Sequence, residues 1–153
     1  GYPFIELSSE IERVAGCGIL EIHSLYGATA YRRYERRALE EALQLYPDMV
    51  LATPGGLVSE PSTMNLMLSH CYSVWVKATP EDHMARVMAQ GDFRPMAGNN
   101  EAMADLKRIL ASREAFYSKA DFICSTSNHS LEESFNILRN HIREVAGLPK
   151  QAA

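Results

Sequence analysis

Cysteine is scarce in this chain and tryptophan scarcer: Cys17, Cys71 and Cys124 are the only thiols, and Trp75 is the one indole. Three widely spaced cysteines without a CxxC pair exclude a disulfide scaffold and a thiolate zinc site, and read as reduced thiols of a cytoplasmic protein. His23, His70, His83, His129 and His141 show neither HExxH nor Cys/His ligand spacing, so no metal centre is expected. No apolar run approaches the roughly 20 residues that span a bilayer, and no charged-then-apolar leader is present, so neither membrane nor export is expected. Also missing is GxxxxGK(S/T), the loop that cradles nucleotide phosphates. Without it, phosphoryl transfer lacks charge neutralisation and positioning. Nor is there an excess of positive charge. With 15 Lys and Arg against 19 Asp and Glu, a net −4 argues against a surface built to hold nucleic acid.

What is present is the composition of a globular protein, 46% hydrophobic and 22% charged over 153 residues, long enough for a single domain over 1–153. Four short apolar runs read as strands: 4–7 (FIEL), 49–53 (MVLAT), 73–77 (SVWVK) and 122–125 (FICS). Their brevity and apolar character suit strands buried on both faces of a parallel sheet. Helical patterns lie between them. Ser9 to Glu12 has capping-box spacing. Thr79-Pro80-Glu81-Asp82 sets a cap, a first-turn proline and acids, with Met84, Val87 and Met88 turned inward. Ser130 to Glu133 is a second capping box, with Leu131, Phe135, Leu138, Ile142 and Val145 on one face and Gly147 and Pro149 as the stop. Alternating strands and helices imply an α/β sandwich with right-handed crossovers. The segment 91–100 (GDFRPMAGNN) reads as a mobile loop. Because "GYPFIEL" reads as a strand almost from its first residue, the natural start is expected upstream.

Several positions carry candidate chemistry. Tyr31-Arg32-Arg33-Tyr34-Glu35-Arg36-Arg37 packs four arginines into a helix expected over 28–45. Glu40 and Glu41 stand one turn beyond Arg36 and Arg37, which suits an exposed, acid-paired face. Arg32 has no acid one turn back and could face a ligand or solvent. Direct contact with DNA through this run is a further reading. Thr53-Pro54-Gly55-Gly56 follows a strand, and the two glycines would let backbone N–H groups approach a ligand at the carboxyl end of the sheet, or merely form a turn. Arg94, before Pro95, suits either a lid arginine or a surface one, and Arg113 either an anion clamp or a helix-dipole partner. The methionines at 64, 67, 84, 88, 96 and 103 suit core filling or a pliable pocket wall.

In order along the chain these pieces resemble the shikimate kinase family, from Phe4 to about Val145. "FIELSSEIE" resembles the family's F-(I/V)-D-x-D-x-x-I-E, and "GATAYRRYE" its G-E-x-x-F-R-x-x-E. Pro54-Gly55-Gly56 stands in place of G-G-G, Arg94-Pro95 in place of the lid's R-P, and Arg113 to Tyr117 in place of R-x-x-x-Y. The resemblance implies a P-loop kinase fold, a three-layer α/β sandwich with a parallel sheet, here without its first strand and phosphate loop. It also implies that Arg32, Arg94 and Arg113 hold a substrate carboxylate. Glu6 would stand for the carboxylate near magnesium, with Glu35 beside Arg32. Ser8 replaces the aspartate that contacts the substrate hydroxyl and cannot act as a carboxylate base. Pro54 has no N–H to donate. The clamp kept and the base lost imply a binding site rather than a catalyst, with no cofactor; ATP and magnesium enter only if the chain is an active kinase.

The runs "YRRYERRALEEA", "ATPGGLVSEPSTMNLMLSHC", "GDFRPMA" and "AFYSKAD" further resemble the sensor domain of benzoyl-CoA-responsive helix-turn-helix regulators of benzoate catabolism. That resemblance implies an aromatic acyl-CoA effector held by Arg32, Arg94, Arg113, Gly55 and Gly56, with Met64 or Met67 along its ring. It also implies DNA contact only through a helix-turn-helix domain absent from these residues, and is compatible with a homodimer. The alternative is an active ATP-dependent small-molecule kinase of the shikimate type.

Overall fold

The computed structural model describes residues 1–91 and 99–147. They fall into two compact units, Gly1–Tyr72 and the chain from Ser73 onward. The first contains β1 (Phe4–Glu6), α1 (Leu7–Ala15), α2 (Ile19–Leu45), β2 (Val50–Ala52), a 3₁₀ turn (Gly55–Ser59) and α3 (Pro61–His70). The second contains β3 (Val74–Lys77), α4 (Pro80–Ala89), α5 (Asn99–Tyr117), β4 (Phe122–Ser125) and α6 (Leu131–Val145). All four strands are among those expected, and each pairing is parallel: Phe4 with Val50 through Glu6 with Ala52, and Val74 with Phe122 through Lys77 with Ser125.

In the first unit, α1 lies on α2 through Leu7, Ile11, Ile22, Ala38, Leu39 and Ala42, all fully buried. Burying a leucine or isoleucine is worth about 1.5–3 kcal/mol. The exposed Arg13 also bridges Glu10 at 2.8 Å and Glu41 at 3.0 Å, but such surface pairs contribute about 0–1 kcal/mol. The apolar seam therefore holds the two helices together. In the second unit, Ser73 donates its N–H and hydroxyl to Asp121 Oδ2 at 2.7 and 2.8 Å, tying the entries of β3 and β4. These bonds hold the Asp121 carboxyl below its usual value.

Four local expectations change. The helix after β1 starts at Leu7, with Glu6 as its N-cap, so the Ser9–Glu12 capping box is not formed. Leu7 is driven into the core, and Glu12 instead accepts from the N–H of Ile19 at 3.0 Å, at the start of α2. The helix expected over 28–45 continues back to Ile19 across a break at Gly27, whose φ of 81° is left-handed and suits glycine. The strands are not buried on both faces: Phe4, Val50, Val76 and Ile123 are exposed, and every described strand pairs on one side only. On α6 the Ser130–Glu133 capping box forms as expected. Its apolar face is nevertheless largely open, with Leu131 88% and Phe135 57% exposed, Arg139 lying over the Phe135 ring, and Met84, Val87 and Met88 of α4 only half-buried.

Candidate functional site

In the first unit, both strands end at the same level. Glu6 closes β1 opposite Ala52 of β2, so Ser8 in the first turn of α1 follows one strand end and Thr53–Gly56 follows the other. The carboxyl ends of parallel strands are where open α/β sheets hold ligands. Glu6 is exposed and Ser8 half-buried. Gly55 and Gly56 open the 3₁₀ turn, and neither has a positive φ. Glycine there is not demanded by backbone conformation; what it supplies is the lack of a Cβ.

Beyond the Gly27 break, α2 carries a coupled group of side chains. Arg32 Nη1 donates to Glu35 Oε1 at 2.7 Å, and Tyr31 donates its hydroxyl to Glu35 Oε2 at 3.3 Å. Glu35 is fully buried while the Arg32 side chain keeps 28% of its surface exposed. The guanidinium also lies 5.2 Å from the Tyr31 ring, which stacks on His23 at 4.4 Å. A buried carboxylate thus fixes a partly open guanidinium in place, an arrangement suited to receiving an anion. The spacing of Tyr31 and Glu35, four apart on a helix, was the available signal for the phenol's part.

Burial and the neighbouring Glu35 charge push the Tyr31 phenol up to about 12. The raised value belongs to the folded state. Its contribution to stability is therefore intact below the usual value near 10 and is lost as pH rises through about 12. A titration of phenolate absorbance should show one of the seven tyrosines ionising late, and Tyr31→Phe should remove that step. All phenols ionising near pH 10 would contradict this environment.

Later in the arginine run, Arg36 pairs with Glu40 at 2.9 Å and Arg37 with Glu41 at 3.0 Å. That is the acid-paired face expected of it, and it leaves little charge for a DNA backbone.

In the second unit, Arg113 is half-buried within α5. Trp75 stacks on Tyr117 at 5.3 Å, and Lys77 lies 4.6 Å from the Trp75 ring and 3.3 Å from Glu114. A cluster unread in the sequence sits just past β3 and β4. Arg86 donates to Thr126 Oγ1 at 2.9 Å and to its carbonyl at 3.3 Å, and Thr79 N–H donates to Ser127 Oγ at 2.8 Å. The available signal was Thr126-Ser127 directly after an apolar strand. Arg94, Pro95, Met96 and most of the 91–100 segment lie outside the described residues, as does Pro149. Met64 is buried in the core. Cys17 and Cys71 are half-buried and Cys124 is buried, all three unbridged. No described helix is long and apolar enough to cross a membrane.

Comparison with known proteins shows the family of the chain. The shikimate kinase family model matches residues 1–143. The shikimate kinase of Synechococcus sp. strain JA-3-3Ab is 34% identical over 119 residues, 78% of this chain and 62% of that protein. That of Bradyrhizobium diazoefficiens is 33% identical over 144 residues, 92% of this chain and 69% of that protein. The crystal structure of shikimate kinase from Bacteroides thetaiotaomicron aligns with a TM-score of 0.81 at 22% identity, covering 96% of this chain and 85% of that one. The Acinetobacter baumannii enzyme, solved in complex with shikimate, gives 0.77 at 20%, covering 96% and 80%. The structural likeness shows the P-loop kinase fold of the shikimate kinase type. The chain spans only 62% and 60% of the length of two Synechococcus relatives.

These matches overturn the sensor reading. The relatives are kinases, so the aromatic acyl-CoA effector, the benzoate-regulator role and the DNA-binding partner domain are withdrawn. The physical error was the weight placed on Ser8. Losing a general base costs about 10²–10⁴-fold, whereas phosphoryl transfer rests mainly on positioning and electrostatic stabilisation. By sequence, the chain belongs to the shikimate kinase family.

Proposed function

We propose that this chain forms the substrate-binding part of an ATP-dependent kinase that phosphorylates a hydroxyl of shikimate or a close cyclic hydroxy acid. The observation that carries the proposal is the Arg32–Glu35 pair, an anion-receiving guanidinium fixed by a fully buried carboxylate, in a chain of this family. Arg32 holds the substrate carboxylate. Gly55 and Gly56 let the backbone approach the ring hydroxyls. Ser8 hydrogen-bonds the hydroxyl that attacks, and Glu35 positions Arg32.

Glu6 is the one carboxylate closing β1, and no group of three described His, Cys, Asp or Glu side chains could hold a metal by itself. That fits magnesium, which is usually held by one or two carboxylates plus the substrate's phosphates. When bound, magnesium neutralises charge on the transferring phosphoryl group. GxxxxGK(S/T) does not occur in these residues, and activity is assayed on the intact protein. A cytoplasmic setting, with its ATP supply, accords with this reading.

The test is ADP release with shikimate and with its methyl ester. Turnover with shikimate and a kcat/KM lower by about 10²-fold with the ester is expected, since a charge-assisted bond is worth about 1.5–3 kcal/mol. Equal turnover of acid and ester contradicts the clamp.

A further inference from the structure

Tyr31 links the α2 side-chain group to a residue that the proposed function leaves without a role. Its hydroxyl donates to Glu35 Oε2 at 3.3 Å, and the Arg32 guanidinium lies 5.2 Å from the centre of its ring. The same ring stacks on His23, with centroids 4.4 Å apart and planes 28° from parallel. Tyr31 is only 6% exposed, whereas His23 is exposed. The imidazole therefore covers a ring whose hydroxyl is tied to the buried carboxylate.

His23 and Tyr31 lie on opposite sides of the break at Gly27, where φ of 81° and ψ of 175° are far from helical. At such a residue helix hydrogen bonding alone does not fix one side against the other. The side that carries His23 is anchored independently. Ile22 beside it is fully buried, and Ile19 at its start donates its N–H to Glu12 at 3.0 Å. An anchored ring stacked on Tyr31 passes that anchorage across the break. If the Tyr31 ring tilts, its hydroxyl leaves Glu35, whose other oxygen orients Arg32.

We infer that His23 is a positioning residue for Arg32, acting through the stack on Tyr31 and the Tyr31–Glu35 bond rather than by touching substrate. This deepens, and rests on, the reading of Arg32 as the group that holds the substrate carboxylate. A guanidinium in its receiving orientation for only a fraction of the time binds more weakly in proportion to that fraction. Loss of the stack therefore weakens substrate binding.

The experiment compares His23→Ala and His23→Phe in the intact protein, by phenolate absorbance titration without substrate and by calorimetric titration with shikimate. In His23→Ala the late phenol, at about 12 in the unsubstituted protein, should move at least halfway back towards the usual value near 10, because water reaches the ring. Shikimate affinity should fall about fivefold in the same variant. His23→Phe keeps a flat ring, so it should retain both the late phenol and the affinity. The inference is overturned if either quantity is unchanged in His23→Ala. It is overturned equally if His23→Phe loses affinity as His23→Ala does, because the imidazole itself would then meet the substrate. No shikimate binding by the unsubstituted protein overturns the clamp and this inference with it. Binding without turnover of ATP overturns the kinase reading alone. Because His23 is exposed, both variants should fold.

Discussion

Ser8→Asp should raise kcat for shikimate phosphorylation by about 10²-fold, the lower end of what a positioned base contributes, with KM changed little. Ser8 stands in the first turn of α1, directly after Glu6 and Leu7 at the end of β1. A carboxylate there would reach the attacking hydroxyl from the position the serine now holds. The same substitution places a negative charge at a helix N-terminus, worth about 0.3–1 kcal/mol in favour of the fold. Activity and stability should therefore rise together, which is uncommon for an active-site substitution. An unchanged kcat in a folded variant would mean that Ser8 does not face the reacting hydroxyl.

Arg32→Ala carries the second large effect, on both binding and stability. It removes the clamp for the substrate carboxylate, so kcat/KM should fall by about 10²-fold, chiefly through KM. It also strands Glu35, which is fully buried and would keep only the Tyr31 hydroxyl. Breaking a fully buried pair costs about 3–5 kcal/mol. With Arg32 28% exposed, solvent screening reduces this to about 2 kcal/mol. In a domain of this size that corresponds to a drop in melting temperature of roughly 4–8 °C. Arg32→Ala/Glu35→Gln should recover most of the stability and none of the affinity. Recovery of both would show that Arg32 acts only as Glu35's counter-ion.

What the sequence disclosed, it disclosed where local chemistry and tertiary packing agree. Thr79-Pro80 and Ser130–Glu133 cap their helices as their spacing implies, because nothing in the core competes for those side chains. At Ser9–Glu12 the core does compete: Leu7 is fully buried, so the helix begins three residues early and Glu12 accepts from the first N–H of the next helix instead. The acid pairing of Arg36 and Arg37 was readable from helical spacing. That Glu35 is buried and shared with Tyr31 was not, because burial is a tertiary fact. The sensor reading that the family match overturns rested largely on one substitution, the serine at position 8.

The most direct test of the account follows the phosphorus. Full-length protein is mixed with ATP, magnesium and shikimate, and the phosphorus NMR spectrum is recorded over time. The account predicts a new phosphate monoester resonance that grows in step with ADP and requires shikimate. ATP that stays intact, or that yields only inorganic phosphate and ADP at the same rate with and without shikimate, would contradict it.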